Sequence, residues 1–268
     1  MKPTHLPCMM ASAILVLTAA ACAQSSEPPC SAGARTASSP AAGNLANFPF
    51  IASAKNSFEQ HLPDGGTIRT YIVTHQARDS AGRTMNETGF RCTIAEKGVP
   101  LPDLMVNVYD PVTPASLNWR VSPDSDHIVH VFHPQAVRPP PTPRNVPPTL
   151  KHVPPRPVAQ HNSSSNFKLE DLGTRNIAGV EAQGSRTTIT IPVGEEGNDF
   201  PLTIMNEKWR SKELGITLLT IRDDPRFGRD TYEVQELTRT EPDPSVFSPP
   251  EGYKIEEQKP LAETPPQS

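Results

Sequence analysis

Three runs decide the fold: Leu172-Gly-Thr-Arg-Asn-Ile-Ala-Gly-Val-Glu-Ala182, Gly184-Ser-Arg-Thr-Thr-Ile-Thr-Ile-Pro192 and Glu241-Pro-Asp-Pro-Ser-Val-Phe-Ser-Pro-Pro-Glu-Gly-Tyr-Lys-Ile255. The first two alternate apolar with polar residues, the period of a strand with one buried face. Working outward, strands are expected near 167–172, 176–183, 185–192, 200–210, 214–222 and 229–239. The punctuation comes at Gly173, Gln183-Gly184-Ser185, Gly194 to Asn198 and Asp223 to Gly228, all turn-forming residue types. Asp243-Pro-Ser-Val-Phe247 has the length of one 3₁₀ turn, and residues 251–257 make a last short strand.

The same grammar appears upstream. Phe50, Ala52, Ala54, Phe58 and Leu62 share one side of a strand, although a helix would also group Phe50, Ala54 and Phe58. Pro63-Asp-Gly-Gly66 turns the chain into a strand from Ile68 to about Ala77. Asp79-Ser-Ala-Gly82 turns it back into a strand from Arg83 to Cys92. Leu104, Val106 and Val108 alternate with Met105, Asn107 and Tyr109. Strands at 116–121 and 128–132 follow. Short strands joined by Asp/Gly turns predict a mainly β protein, an antiparallel meander forming a curved sheet or incomplete barrel. A proline-rich insertion interrupts it.

That insertion runs from Pro134 to Pro157 with ten prolines, and 134–161 adds Arg138, Arg144, Lys151 and Arg156 with no acid. Proline fixes φ and lacks an N–H, so extended polyproline II is expected here. The segment is either a docking arm for an envelope protein or cell-wall polymer, or a long solvated loop. Met9 to Ala21 is an apolar run too short to span a bilayer and reads as an export signal. It ends either in a small-x-small cleavage site before Gln24 or in a lipobox-like run that makes Cys22 a lipidation candidate. The expected order is therefore a signal peptide at 1–23 and a disordered tether at 24–47. The first β half is at 48–133, the basic arm at 134–166, the second β half at 167–257 and a disordered tail at 258–268. An extracytoplasmic location follows, periplasmic or secreted, or outer-membrane-anchored if Cys22 carries lipid.

Composition fits this division. Hydrophobic residues make up 35% and proline contributes 32 of 268, so ordered β structure alternates with stretches too polar to bury a core. Formal net charge is −4, without the basic stripe that nucleic-acid binding needs. Outside the leader and Cys22, the cysteines are Cys30 and Cys92. They are either one disulfide, which an oxidising compartment permits, or two free thiols.

Candidate chemistry is sparse. His127, His130 and His133 sit in a strand pattern, so His130 faces away from the other two and a metal site is not expected. Asp124-Ser-Asp126 and Asp223-Asp224 lack the glycine and closing glutamate of a calcium loop and read as turn residues. Glu195-Glu196 reads as a solvated loop, and Ser163 to Ser165 has no base at fixed spacing. No catalytic residue, metal site or cofactor is assigned, and no enzyme is expected. Trp119, Trp209, Tyr232, Phe247 and Tyr253 are the large rings that line an apolar groove or fill a core.

The pattern Leu172-Gly-x-x-x-Ile177-x-Gly-Val180, with Gly197-Asn-Asp199, Trp209, Ser211-Lys-Glu-Leu214, Asp224-Pro-Arg226 and Arg239-Thr-Glu-Pro-Asp-Pro-Ser-Val-Phe247, resembles a group of secreted bacterial β proteins. Arg78-Asp-Ser-Ala-Gly-Arg-Thr84 and Tyr109-Asp-Pro-Val-Thr113 resemble that group's N-terminal features. The likeness covers most of 48–257 apart from the proline arm. More remotely, the strand–turn–strand order with its Pro-x-x-x-Phe ending is similar to lipoprotein carrier and localisation proteins and to the sigma-E regulator sensor domain. That similarity implies a half-barrel holding lipid or lipopeptide, and transfers no catalytic residue. The expected function is a non-enzymatic envelope protein that binds or carries a lipid or apolar ligand. The alternative is an interaction protein that docks a partner through its proline arm.

Overall fold

A computed structural model describes residues 27–43, 45–94, 97–133 and 166–258. The first half contributes β1 (Arg35–Ala37), β2 (Phe50–His61), β3 (Thr67–Arg78), β4 (Thr84–Ile94), β5 (Pro100–Asp110), β6 (Ala115–Val121) and β7 (Ile128–Phe132). The second contributes β8 (Asn166–Ile177), β9 (Val180–Ile191), β10 (Leu202–Arg210), β11 (Thr217–Asp224) and β12 (Gly228–Thr238). A 3₁₀ turn η1 (Pro244–Phe247) and β13 (Lys254–Glu257) close the series. All join one sheet in the order β13-β7-β6-β5-β4-β3-β2-β12-β11-β10-β9-β8, with β1 set against β4. The pairing is antiparallel except that β13 lies parallel to β7. The sheet is open, mainly antiparallel and not closed into a barrel.

The stretch quoted first forms the β8–β9 hairpin, but its turns fall elsewhere than expected. Ile177 pairs with Val180 across a two-residue loop in which Ala178 and Gly179 have φ of 48° and 80°, the type I′ geometry that matches strand twist. The turn expected at Gln183-Gly184-Ser185 is the middle of β9. Gly184 is required there by close approach, since a Cβ would stand 2.7 Å from the Trp209 ring. Gly173 marks a bulge in β8 rather than a strand end.

The two meanders meet at β2 and β12, whose partners run from Arg229↔Glu59 to Thr238↔Ile51. Helix was the alternative for residues 50–62. Strand wins because Phe50, Ala52, Ala54 and Asn56 are all buried on one face.

The segment expected to be a tether is built into the fold over its described part. β3 and β4 pair only from Gln76↔Asn86 to Arg78↔Thr84 and then splay. β1 fills the fork through Arg35↔Arg91 and Ala37↔Gly89, and Cys30 bridges to Ile72. A disulfide joins Cys30 to Cys92, with S–S 1.98 Å and Cα–Cα 6.0 Å. Its small residues suggested too little apolar surface to fold alone. In the fork that smallness lets Ala34 and Ala37 pack with Ile72, Cys92 and Leu104. The proline arm at 134–165 and the tail beyond Gln258 lie outside the described residues, as do the leader and Cys22.

Register divides the β2–β7 half into two faces. On the back face, Ala77, Met85, Val106, Val108, Trp119, Val129 and Val131 form a core that Phe247 of η1 completes. The chain therefore leaves β12 at mid-sheet and crosses to the β7 edge. Asp243 stabilises the turn on the way by accepting a hydrogen bond from Ser245 N at 2.8 Å. On the front face, residues 38–43, 45–48 and 211–216 cover β2 and β3, with Ala42, Leu214 and Ile216 buried against Phe50, Ala52 and Leu218.

Candidate functional site

Beyond that cover, the front face of β4–β7 is open, and its central row is made of amides. Gln76 stands opposite Asn86, Asn86 opposite Asn107, Asn107 opposite Asn118 and Asn118 opposite His130. Adjacent strands lie about 4.8 Å apart, so the row presents hydrogen-bonding groups at strand spacing. Thr84, Tyr109, Ser116 and Phe132 form a parallel row beside it, and Thr88, Met105 and Arg120 form another.

Two grooves run over this surface. One, about 550 Å³, lies between Asn86, Asn107, Asn118 and the wall made by Ala42, Gly43 and Arg210. The other, about 470 Å³, extends over Met105, Arg120, His130 and Phe132. Both are lined by Asn107 and Asn118, so they are continuous.

The amides of the row are neutral, and the buried carboxylate beside them is already matched. Asp103, 3% exposed, accepts Arg120 Nε at 2.7 Å, Arg120 Nη2 at 2.8 Å and Arg91 Nε at 2.8 Å. Arg120 beside it holds the carboxyl below the usual carboxylate range, against the opposing effect of burial. Arg210 donates to the Gly215 carbonyl at 2.7 Å. Along the row, Asn86 Oδ1 accepts from Ala42 N at 3.3 Å, and His130 Nδ1 lies 2.7 Å from Gln258 Nε2. Asn107 and Asn118 are half-buried and make no side-chain hydrogen bond among the described residues. Each carries two donors and an acceptor oxygen. The surface can therefore engage a ligand that both donates and accepts without bringing charge.

Of the two roles expected for the five large rings, groove or core, the structure gives them core. Trp119 and Phe247 are buried in the back-face core, and Tyr253 packs against it. Trp209 and Tyr232 lie in the other core. The five rings thus divide between two packed interiors and do not meet in one groove. Burial pushes the Tyr232 phenol up, and its hydroxyl has no partner among the described residues. Tyr253 donates to the Arg120 carbonyl at 2.9 Å, and its ring stands edge-on to His127 at 5.0 Å. His133 pairs with Glu257 at 3.0 Å. Asp126 accepts from Ile128 N and Asp124 from Ser122 Oγ, as turn residues do. Asp224 is held at about 2 by the Arg226 guanidinium, which also pairs with Glu196.

Asn86, Asn107 and Asn118 were legible only as the polar half of an alternation. Asparagine is depleted in strands. An Asn between apolar neighbours in Val106-Asn107-Val108 and again in Leu117-Asn118-Trp119 is the signal that finds them.

No protein-family model matches the chain, and no curated protein matches it. Among solved structures, the chain has a remote likeness to PNGF-II, with TM-score 0.37, 16% identity, and coverage of 80% of this chain and 32% of that one. It is also similar to MucB in complex with MucA(peri), with TM-score 0.28, 9% identity, and coverage of 75% and 53%. The MucA/MucB complex of Pseudomonas aeruginosa gives 0.28, 10%, 75% and 55%. The chain thus spans about a third of the first and little over half of the others. TM-scores this low carry nothing over about ligand or activity.

Proposed function

We propose that this is a non-enzymatic extracytoplasmic binding protein whose ligand is an uncharged, hydroxyl-rich glycan segment lying along the Asn86–Asn107–Asn118 row. The observation that carries the reading is the pair Asn107 and Asn118, half-buried at the floor of a continuous groove with their amides unengaged by the described residues. Sugar hydroxyls donate and accept at once, which is what amides complement. Tyr109, Met105 and Phe132 at the margins offer apolar surface to a ring face. The export-signal reading of residues 9–21 supports the compartment. A lipid or apolar ligand has less support, because the rings that would line its groove are inside the two cores.

Titration calorimetry of the purified protein with soluble cell-wall and storage oligosaccharides tests this. Binding to at least one neutral oligosaccharide is expected. Asn107→Leu and Asn118→Leu should each weaken it about tenfold, the value of one or two lost hydrogen bonds, with thermal unfolding unchanged. Full-strength binding in both variants would remove the row from the site. Stoichiometric lipid recovered by solvent extraction would restore the carrier function instead.

A further inference from the structure

The two ends of the sheet are unlike. One is β13, four residues reading Lys254-Ile-Glu-Glu257, all exposed. Short, charged edges resist pairing. The other is β8, twelve residues long, bonded among the described residues to β9 alone. It presents Phe167 at 64% and Leu169 at 65% exposure on one face, with Lys168 and Glu170 on the other.

Backbone geometry fixes what this edge offers. The two-residue turn makes Ile177↔Val180 a hydrogen-bonded pair, so 177, 175 and 173 direct their N–H and C=O groups at β9. The extra residue between Asp171 and Gly173 shifts the phase. Beyond it, 170, 168 and 166 face β9, and Phe167, Leu169 and Asp171 turn their backbone groups outward.

We infer that β8 pairs antiparallel with the β8 of a second copy of this chain, about a two-fold axis through Leu169. In that register Leu169 faces its own counterpart in a hydrogen-bonded pair. Phe167 and Asp171 face each other in two more. Lys168 falls opposite Glu170 of the second copy, and Glu170 opposite its Lys168, in the closer non-hydrogen-bonded positions where side chains interact most. The strand is thus self-complementary in charge. Within one copy Lys168 pairs with Glu170 at 3.0 Å, and Glu170 also stands opposite Arg186 of β9. Phe167 and Leu169 of both copies gather on the same face across the axis, covering the apolar side chains that a single copy leaves in water. Sliding the axis to Asp171 opposes two carboxylates, and sliding it to Phe167 sets Lys168 against Asn166. Leu169 alone gives two complementary charge pairs. The single mismatch is Phe167 opposite Asp171, tolerable at an exposed rim.

Sedimentation of the full chain across a concentration series tests this, with Lys168→Glu, Glu170→Lys and the double swap alongside. A dimer is expected for the natural sequence. Each single reversal turns two symmetric attractions into repulsions and should weaken dimerisation about tenfold. The double swap should recover it. Leu169→Cys should form an intermolecular disulfide, since hydrogen-bonded antiparallel pairs hold Cα atoms about 5.5 Å apart, and Thr174→Cys should not. A protein monomeric at every concentration overturns the inference. So does a dimer indifferent to both reversals, or capture of another protein's strand by a chain that does not self-associate. Far-UV circular dichroism confirms that each variant keeps its fold.

Discussion

Thr74, Gln76 and Arg78 are fully buried polar residues on one face of β3, and what covers them explains the choice. The covering chain at 38–43 and 45–48 is irregular, so its backbone has few ladder partners and its carbonyls are met by side chains. Ser39 Oγ bonds Thr74 Oγ1 at 2.6 Å, and Gln76 Nε2 donates to the Pro40 carbonyl. Arg78 donates to the carbonyls of Gly43 at 2.7 Å, Phe48 at 2.6 and 2.8 Å, and Leu214 at 2.8 Å. Its guanidinium also lies 4.8 Å from the Phe50 ring centre. Arg78→Met keeps much of the volume but takes the donor from three carbonyls, that of Leu214 buried. A loss on the order of 3–5 kcal/mol is expected, measured by urea unfolding, with proteolysis appearing first within residues 38–48. The sequence shows Thr74, Gln76 and Arg78 in phase. It does not show that they are the buried phase, because polar residues in strands ordinarily face water. Gly184 misled in the opposite way, since a glycine needed under an indole looks like a turn.

At the scale of elements, strands were legible wherever alternation was strong, and boundaries in the first half fall close to expectation. β1 was not, since three residues in a polar stretch carry no period. Its position depends on a fork between β3 and β4 that only their mutual register creates. Gly89 marks the spot, because a Cβ there would come within 2.5 Å of Ile72. The disulfide closes a separation of 62 residues, for which chain entropy gives about 4 kcal/mol. Cys30→Ser with Cys92→Ser should lower stability by up to that amount. Hydrogen exchange should locate the added opening in residues 30–37 and spare β8–β11, and uniform loss of protection would count against a local wedge.

For the whole molecule, neighbouring strands in sequence are mostly neighbours in the sheet, and the meanders could be read directly. The long-range joins could not, because nothing local in β2 names β12, nor anything in β13 names β7. One such relation has a measurable cost. His133 ends the first meander and Asn166 opens the second, yet β7 and β8 are ten strand-to-strand steps apart, about 48 Å along a flat sheet. Deleting 134–161 leaves 162–165 to connect them, a reach of at most about 18 Å. The deletion should therefore disrupt the sheet, whereas a Gly/Ser segment of equal length should preserve it, as scored by thermal unfolding. A stable deletion variant would mean that curvature brings the two ends within that reach.

The parallel docking of β13 on β7 also ties the interior of the first meander to the end of the second. His133 and Glu257 meet across 124 positions, and Phe247 reaches the back-face core only with the same crossing. The first meander, although made early, cannot finish its interior until the last strand arrives. Contacts of such separation slow the search for the native state. Until η1 and β13 dock, the back face of the first meander lacks Phe247 and stays open to association and cleavage.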